Sequence, residues 1–425
     1  MSFGEGTPTA VDSLRGCLSN RSNPMQVFHM AETAPTPHWS FYEFFAGGGM
    51  ARAGLGPSWL CRFANDFDPM KARTYRANWD AEHFVEGDVA KLFVGQLPDS
   101  PDLVWASFPC QDLSLAGNYK GLGDERAGHL TRSGTFWPFW SLIQQLKADG
   151  RGPRLIVLEN VPGTITSRGG LDFASICKAL VSEGYCLGAM IVDAKHFVPQ
   201  SRPRLFFIAV ANSHQIPAGM TRAAPKEIWH SEALRSAVER LPESVRENWV
   251  WWTMQEPPLR STVLADLIEE FPDGCNWHTQ TETAKLLAMM SPLHLAKIEK
   301  ARSTGQRWVG SVYKRTRPDK NGARRQRAEI RFDDMAGCLR TPGGGSSRQT
   351  IMVIDESSTR SRLLSPREAA RLMGLADDYT LPSRYNDAYH VAGDGVCVPV
   401  VRHLAHCLLE PILSAETCTR RALAA

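Results

Sequence analysis

Beyond residue 39 the chain alternates short apolar runs with longer stretches in which apolar residues recur every three or four positions. The runs at 41–45, 60–64, 103–106, 155–158, 189–192 and 205–210 have the length and composition of strands. Between the third and fourth, Phe136, Phe139, Trp140, Ile143 and Leu146 share one face of a helix. Strands alternating with helices predict an α/β domain with a mixed, mostly parallel sheet. The rhythm stops near Ala211. From there to about Arg360 come Trp249, Trp251 and Trp252, several prolines, a basic stretch and a glycine run at 343–345. Helical spacing returns at 366–375 and again at Val401, Leu404, Ala405, Leu408 and Leu409. Residues 1–37, rich in Ser, Thr, Pro and Asn without periodicity, predict a disordered tail. The expected organisation is an α/β domain begun over 38–211, interrupted by a smaller irregular module over 212–361, and completed over 362–425.

Charge changes this picture in one place. The formal net charge of +3 is too small to identify a partner, but its distribution is uneven. Between residues 297 and 331, Lys300, Arg302, Arg307, Lys314, Arg315, Arg324, Arg325 and Arg327 stand among ten or more cations opposed only by Glu299, Asp319 and Glu329. Such a cluster suits phosphates and a solvated loop alike. No apolar run approaches the ~20 residues that span a bilayer. The first residues lack the charged-then-apolar pattern of a secretory signal. The ten cysteines are scattered, with no spacing that suits zinc, and read as reduced thiols of a cytoplasmic protein.

Six segments carry the candidate chemistry, five of them where predicted strands end and one where a strand begins. In Phe44-Phe45-Ala46-Gly47-Gly48-Gly49, glycines let the backbone turn tightly and approach a ligand at a helix start. The next strand ends carry Asn65-Asp66-Phe67-Asp68 and Gly87-Asp88-Val89, where a carboxylate can accept hydrogen bonds from a ribose. Together these suit a nucleoside-containing cofactor, although each alone also fits ordinary loop chemistry. Pro109-Cys110-Gln111 sets a thiol on a loop, ahead of a glycine-rich stretch to residue 128 that suits a closing lid. Leu158-Glu159-Asn160 sets a carboxylate at the same sheet edge, and a thiol with a carboxylate there forms a pair for covalent catalysis. Gln200-Ser201-Arg202-Pro203-Arg204 sets two arginines at i and i+2, on one side of a strand, for a phosphate, a base carbonyl or surface ion pairs.

In this order and spacing the motifs resemble those of the DNA cytosine-5 methyltransferase family, of prokaryotic or phage type. The resemblance covers nearly the whole chain after the tail. It takes in Arg362-Leu363-Leu364-Ser365-Pro366-Arg367-Glu368 as the family's late helical motif, and Gly393-Asp394-Gly395-Val396 as its final one. There the family's usual Gly-Asn is Gly-Asp, which keeps an acceptor and loses an amide donor. The resemblance implies a Rossmann-like S-adenosylmethionine-dependent methyltransferase domain carrying a target-recognition domain at 212–361. It implies Cys110 as the nucleophile that adds to C6 of cytosine, Glu159 at the N3 edge, and Arg204 with Arg202 on the base carbonyl. It implies S-adenosylmethionine held by Phe45, Gly47, Gly49, Asp66, Phe67, Asp88, Val89, Asp394 and Val396, and no metal. The substrate would be double-stranded DNA with one cytosine flipped out, met by Gln111, Arg340, Gly343, Gly344, Ser346 and Arg348. A monomer is expected, with no membrane partner, beside a separate cognate restriction endonuclease or alone.

Three other readings stand beside this one. A cytosine-5 methyltransferase acting on tRNA shares the motifs but has a more compact recognition region. A catalytically inactive DNA-binding relative would lack the nucleophile or the acid, and Cys110, Glu159 and Arg204 are all present. A dinucleotide-binding oxidoreductase would leave Pro-Cys-Gln and Glu-Asn-Val without a purpose.

Overall fold

The computed structural model describes residues 38–110, 113, 122, 133–318, 322–340 and 348–415, so the expected tail and most of the expected closing lid lie outside the described residues. The large sheet contains β1 (Trp39–Phe44), β2 (Trp59–Asp66), β3 (Phe84–Glu86), β4 (Leu103–Ala106), β5 (Leu155–Asn160), β6 (Tyr185–Asp193) and β7 (Pro203–Ala211). Their order is β3-β2-β1-β4-β5-β7-β6. Only β7 is reversed, pairing antiparallel with β5 and β6 while the remaining neighbours pair in parallel. This is the mixed, mostly parallel sheet predicted above. Each expected strand lies inside an observed one, except that Phe45 has already left β1 for a left-handed turn.

Helices α1 (Met50–Leu55), α2 (Pro69–Asn78), α3 (Phe136–Ala148) and α4 (Leu171–Ser182) lie between these strands. Alternate strand residues enter different cores. Trp105, Leu155 and Val157 belong to one, and Val104, Ile156 and Leu158 to the other. With both faces covered, β4 and β5 are buried along their whole length, which is why they read as unbroken apolar runs.

The strand order creates a position for a ligand. From β1 the chain moves outward through β2 and β3, then returns to the other side of β1 as β4. The carboxyl ends of β1 and β4 therefore flank a topological switch point, where open α/β sheets bind ligands. Reversal of β7 brings its amino end to the carboxyl end of β5, with Leu205 opposite Asn160.

The stretch expected as an insert begins on the large sheet. β8 (Thr221–Arg222) pairs with β9 (Trp251–Trp252), with α5 (Glu232–Glu239) and α6 (Glu243–Arg246) between them. Leu187 N–H donates to Asn248 O at 2.9 Å, and Trp252 Nε1 donates to Ile208 O at 3.2 Å. The tryptophans at 249, 251 and 252 thus pack into the cores that flank β6 and β7. Farther on, α7 (Leu264–Leu267), α8 (Gln280–Ala288) and α9 (Pro292–Arg302) lead to an antiparallel sheet of order β11-β10-β12-β13. Its strands are β10 (Trp308–Pro318), β11 (Arg324–Arg331), β12 (Thr350–Ile354) and β13 (Thr359–Leu363). β12 pairs with β10 only as far as Val312. Past that point β10 and β11 continue as a two-stranded ribbon, with Arg315 opposite Arg327 and the side chains at 315, 316 and 324–327 exposed.

The chain returns to the large sheet with α10 (Pro366–Arg371), α11 (Tyr385–Asp394) and α12 (Val398–Leu404). A capping box starts α10: Glu368 N–H donates to Ser365 Oγ at 3.1 Å, and Ser365 N–H donates to Glu368 Oε2 at 2.8 Å. Glu368 also accepts from both Nη atoms of the fully buried Arg362, at 2.7 and 2.6 Å. The helical stretch Tyr385–Ala415 corrects the expectation that no segment is long and apolar enough to cross a bilayer, since by length and composition it is. Of its most apolar window 56% is buried inside the protein, with Val401 lying over Gly54 of α1. A helix enclosed on several sides needs that composition for its core position.

Candidate active site

The turn after β1 is left-handed at Phe45 (φ 57°), Gly47 (φ 57°) and Gly49 (φ 79°). One carboxylate acceptor and two donors on aromatic side chains hold it. Gly47 N–H donates to Asp66 Oδ2 at 2.8 Å, while Asp66 Oδ1 accepts from Asp68 N–H at 2.9 Å. Gly48 O accepts from Trp79 Nε1 at 2.9 Å and from the Tyr379 hydroxyl at 2.8 Å. A Cβ on Gly47 would meet nothing within 4 Å, so the backbone there faces open space. Asp66 is buried, and burial raises its carboxyl above the usual range while Lys71 opposes the shift. Phe67 is 67% exposed, an unusual position for a ring. Asp88 is exposed and caps a short 3₁₀ turn by accepting from Ala90 N–H at 3.0 Å, with Val89 buried behind it. Asp394, at the end of α11, pairs with Lys71 at 2.8 Å, and Val396 is buried beside it. The expected cofactor residues therefore lie at the carboxyl ends of β1, β2 and β3 and at the end of α11.

The groups expected to react lie at the next strand ends. Cys110 lies four residues beyond β4 and is half-buried. Asn160 Nδ2 donates to Phe108 O at 3.1 Å and ties the Cys110 loop to the end of β5. Burial pushes the Cys110 thiol up, Arg204 opposes this, and Glu159 reinforces it. Glu159 is 7% exposed and forms an ion pair with Arg204, Oε1 to Nε at 3.2 Å. Burial disfavours the Arg204 charge, but Cys338, Glu159 and Cys110 together hold its pKa above the ordinary value. Cys110, Glu159 and Arg204 thus interact electrostatically at one sheet edge.

A family model for C-5 cytosine-specific DNA methylases matches residues 39–410. The chain belongs to that family. This methyltransferase modifies cytosine at C5 in DNA. It is 25% identical to the Type II methyltransferase M.NlaX of Neisseria lactamica, over 85% of this chain and 94% of that one. It is 27% identical to a DNA-cytosine methyltransferase of Escherichia coli (strain K12), over 91% of this chain and 80% of that one. The crystal structure of S. pombe Dnmt2 methyltransferase has the same fold, with a TM-score of 0.53 at 16% identity over 88% of this chain and 99% of that one.

The cytosine-5 methyltransferase site departs from the sequence expectations at several residues. Arg202 precedes β7 and does not share a strand face with Arg204. The Nη atoms of its guanidinium are engaged elsewhere, while Nε is buried without a hydrogen-bond partner among the described residues: Nη1 donates to Leu339 O at 3.0 Å, and Nη2 donates to Gly393 O and Gly395 O, both at 2.7 Å. A buried arginine with three carbonyl acceptors joins the final motif to residues 338–339. Arg348 also turns inward, hydrogen-bonding Asn386 and stacking over Tyr385 at 5.5 Å. Arg340 is exposed. Gln111, Gly343, Gly344 and Ser346 lie outside the described residues. Cys338 was not among the candidates, yet its sulfur is 3.4 Å from Arg202 Nη1 and 4.0 Å from both Nη atoms of Arg204. Its one sequence signal is its position just ahead of the Arg340–glycine stretch.

Proposed function

We propose that this methyltransferase uses S-adenosylmethionine to methylate C5 of a cytosine flipped out of double-stranded DNA, through a covalent bond between Cys110 Sγ and C6 of the base. The convergence of Cys110, Glu159 and Arg204 on one sheet edge carries this reading, with Arg204 Nε 3.2 Å from Glu159 Oε1. Cytosine C5 is a weak nucleophile inside an aromatic ring. Attack of the Cys110 thiolate on C6 converts it into an enamine-like carbon. Because burial disfavours the thiolate, the positive charge of Arg204 is what supports its formation. Glu159 hydrogen-bonds the N3 edge, and a proton held there makes C6 more electrophilic. Arg204, oriented by Glu159, meets the base carbonyl. The target carbon is inaccessible in stacked duplex DNA, so the base must leave the stack to reach Cys110.

The turn residues fit the proposed methyl donor. The open backbone at Gly47 admits a close ligand, the exposed ring of Phe67 offers a face to adenine, and Asp66 and Asp88 retain acceptor capacity for ribose and adenine groups. Phe45, Gly49, Val89, Asp394 and Val396 complete this wall. When bound, S-adenosylmethionine supplies a sulfonium methyl group electrophilic enough for the activated C5. Loss of the C5 proton then expels Cys110 and restores the aromatic ring.

Residues 212–361 serve in this reading as the target-recognition domain on a catalytic domain of 38–211 and 362–425. The exposed β10–β11 ribbon, with Arg315 opposite Arg327 and, of the two, only Arg315 near a carboxylate among the described residues, Glu329 at 3.6 Å, presents excess positive charge that supports contact with DNA phosphates. Bisulfite sequencing of a plasmid from a methylation-free host expressing the chain tests the proposal. Protected cytosines at one short motif, absent with Cys110→Ala, are expected. Undiminished protection with Cys110→Ala would overturn the covalent mechanism.

A further inference from the structure

A buried guanidinium, of Arg202, and a half-buried one, of Arg204, lie near the proposed reaction centre, and the described residues provide one carboxylate for the pair. Glu159 takes Arg204 Nε. Arg202, 1% exposed, meets neutral carbonyls and no carboxylate within salt-bridge reach among the described residues. Burying a cation without a counter-charge is costly, so a second anion is expected close by. The atom in that place is Cys338 Sγ, 3.4 Å from Arg202 Nη1 and 4.0 Å from both Nη atoms of Arg204.

The position of this sulfur is built into the backbone. Ala336 N–H donates to Pro199 O at 2.8 Å, Ser201 N–H to Ala336 O at 3.1 Å, and Leu339 N–H to Gln200 Oε1 at 3.0 Å. Residues 336–339 are therefore docked along 199–202, with Cys338 held between the two arginines. The other charged or titratable groups acting around it are Glu159 on β5, Tyr389 on α11, Arg340 on its own segment, Cys110, which shares Arg204 with it, and Cys397, which shares both arginines but which burial pushes up.

We propose that Cys338 is a thiolate counter-ion and positioning residue, which holds the Nη edge of Arg204 so that Nε stays turned to Glu159. The inference rests on the assignment of Arg204 to the base. Burial by itself pushes the Cys338 thiol up, but Arg202 and then Arg204 outweigh it and hold the thiol below its ordinary value, opposite to the shift at Cys110. The two cysteines have distinct tasks: Cys110 becomes a thiolate to attack, while Cys338 stays one to orient.

The test begins with the unmodified enzyme, alkylated by iodoacetamide across a pH series and mapped by peptide mass spectrometry. Cys338 is expected to react with a midpoint below the ordinary thiol value of about 8.5, and Cys110 above it. A Cys338 midpoint at or above the ordinary value would overturn the proposal, and this readout is independent of methyl transfer. Cys338→Ser should lower the single-turnover methylation rate about tenfold, the scale of one charge-assisted hydrogen bond, with DNA affinity changed less than about twofold. Cys338→Asp, which restores a short anion, should recover most of that rate. A Cys338→Ser enzyme as fast as the parent across the pH range would also overturn the proposal. If neither variant folds, alkylation of the unmodified chain decides alone.

Discussion

Gly48→Ala tests how tightly the turn after β1 is clamped. Gly48 has no positive φ, so the effect of a methyl group there is steric. Its Cβ would fall 2.2 Å from the Tyr379 hydroxyl oxygen and 3.0 Å from Val391 Cγ1. The hydroxyl must withdraw by about 1 Å to reach ordinary contact, which breaks its 2.8 Å hydrogen bond to Gly48 O. Tyr379 is 6% exposed, so water does not readily replace that acceptor. Losing a buried hydrogen bond costs about 1–3 kcal/mol, and overpacking costs about 1–3 kcal/mol more. The expected destabilisation is therefore about 2–6 kcal/mol, read as a lower urea midpoint at constant slope. S-adenosylmethionine affinity by calorimetry should fall with it, because the displaced turn is the proposed cofactor wall. Tyr379→Phe supplies the control. The ring carbon Cζ stands 3.5 Å from the added Cβ, an ordinary contact, so deleting the hydroxyl removes the clash and the stranded donor together. The double variant should be more stable than the sum of the single changes predicts, by at least about 1 kcal/mol. Additive effects, or a Gly48→Ala protein as stable as the parent, would refute the steric account.

Three further outcomes follow from other parts of the molecule. Glu43 on β1 is buried with Oε2 unpartnered, and burial lifts its carboxyl from 4.5 to about 8 despite the opposing charge of Arg52. The folded state keeps a proton that the unfolded state loses between those values, so stability falls as pH rises through that window, by up to about 5 kcal/mol. Glu43→Gln should match the parent in urea denaturation near pH 4.5 and exceed it near pH 8; parallel pH profiles would count against a buried ionising group. Replacing Arg315 and Arg327 together by Gln should reduce the slope of log affinity for DNA against log salt by about 2, with the modified motif unchanged; an unaltered slope would remove the ribbon from the phosphate contacts. Arg202→Lys should lower stability by about 2–4 kcal/mol in urea denaturation, because an ammonium cannot reproduce a guanidinium fork spread over Leu339, Gly393 and Gly395; a loss under about 0.5 kcal/mol would contradict that tie.

The strands of the large sheet were legible because burial on both faces imposes apolar runs, and the turn after β1 because only glycine tolerates its left-handed positions freely. Cys110, Glu159 and the glycine turn were legible for a related reason, since each ends or follows a strand and the carboxyl edge of such a sheet is where ligands bind. The division of labour between Arg202 and Arg204 was not legible. Residues at i and i+2 share a face only within a strand, and Arg202 stands one residue before β7 begins. Its acceptors lie 137 to 193 positions away along the chain, beyond any local pattern. Cys338 was hidden for the same reason, since nothing beside it in sequence points to two arginines on another element. The tryptophans at 249–252 suggested an irregular module because their burial partners belong to β6 and β7, which precede them.

The reversed strand accounts for the chemistry that a fully parallel sheet would lack. At the carboxyl edge, parallel strands offer their last residues and the loops that follow them: Asp66 and Glu159 come from the ends of β2 and β5, and the glycine turn and Cys110 from the loops after β1 and β4. A cation that must stand rigidly beside Glu159 is better carried by a strand than by a further loop. Because β7 runs backwards, its first residues lie at that edge, and the ladder sets Phe206 opposite Glu159 and Leu205 opposite Asn160. Arg204 is the next residue outward, and its Nε reaches Glu159 Oε1 at 3.2 Å. The same ladder leads back through Pro203 to Arg202, whose carbonyl contacts hold the entry to β7 against the final motif. Orientation of the ion pair thus comes from backbone register on one side and a buried guanidinium on the other. Changes that slip β7 by one residue should therefore abolish methylation even with Cys110 intact, since a one-residue shift turns Arg204 to the opposite face of the sheet.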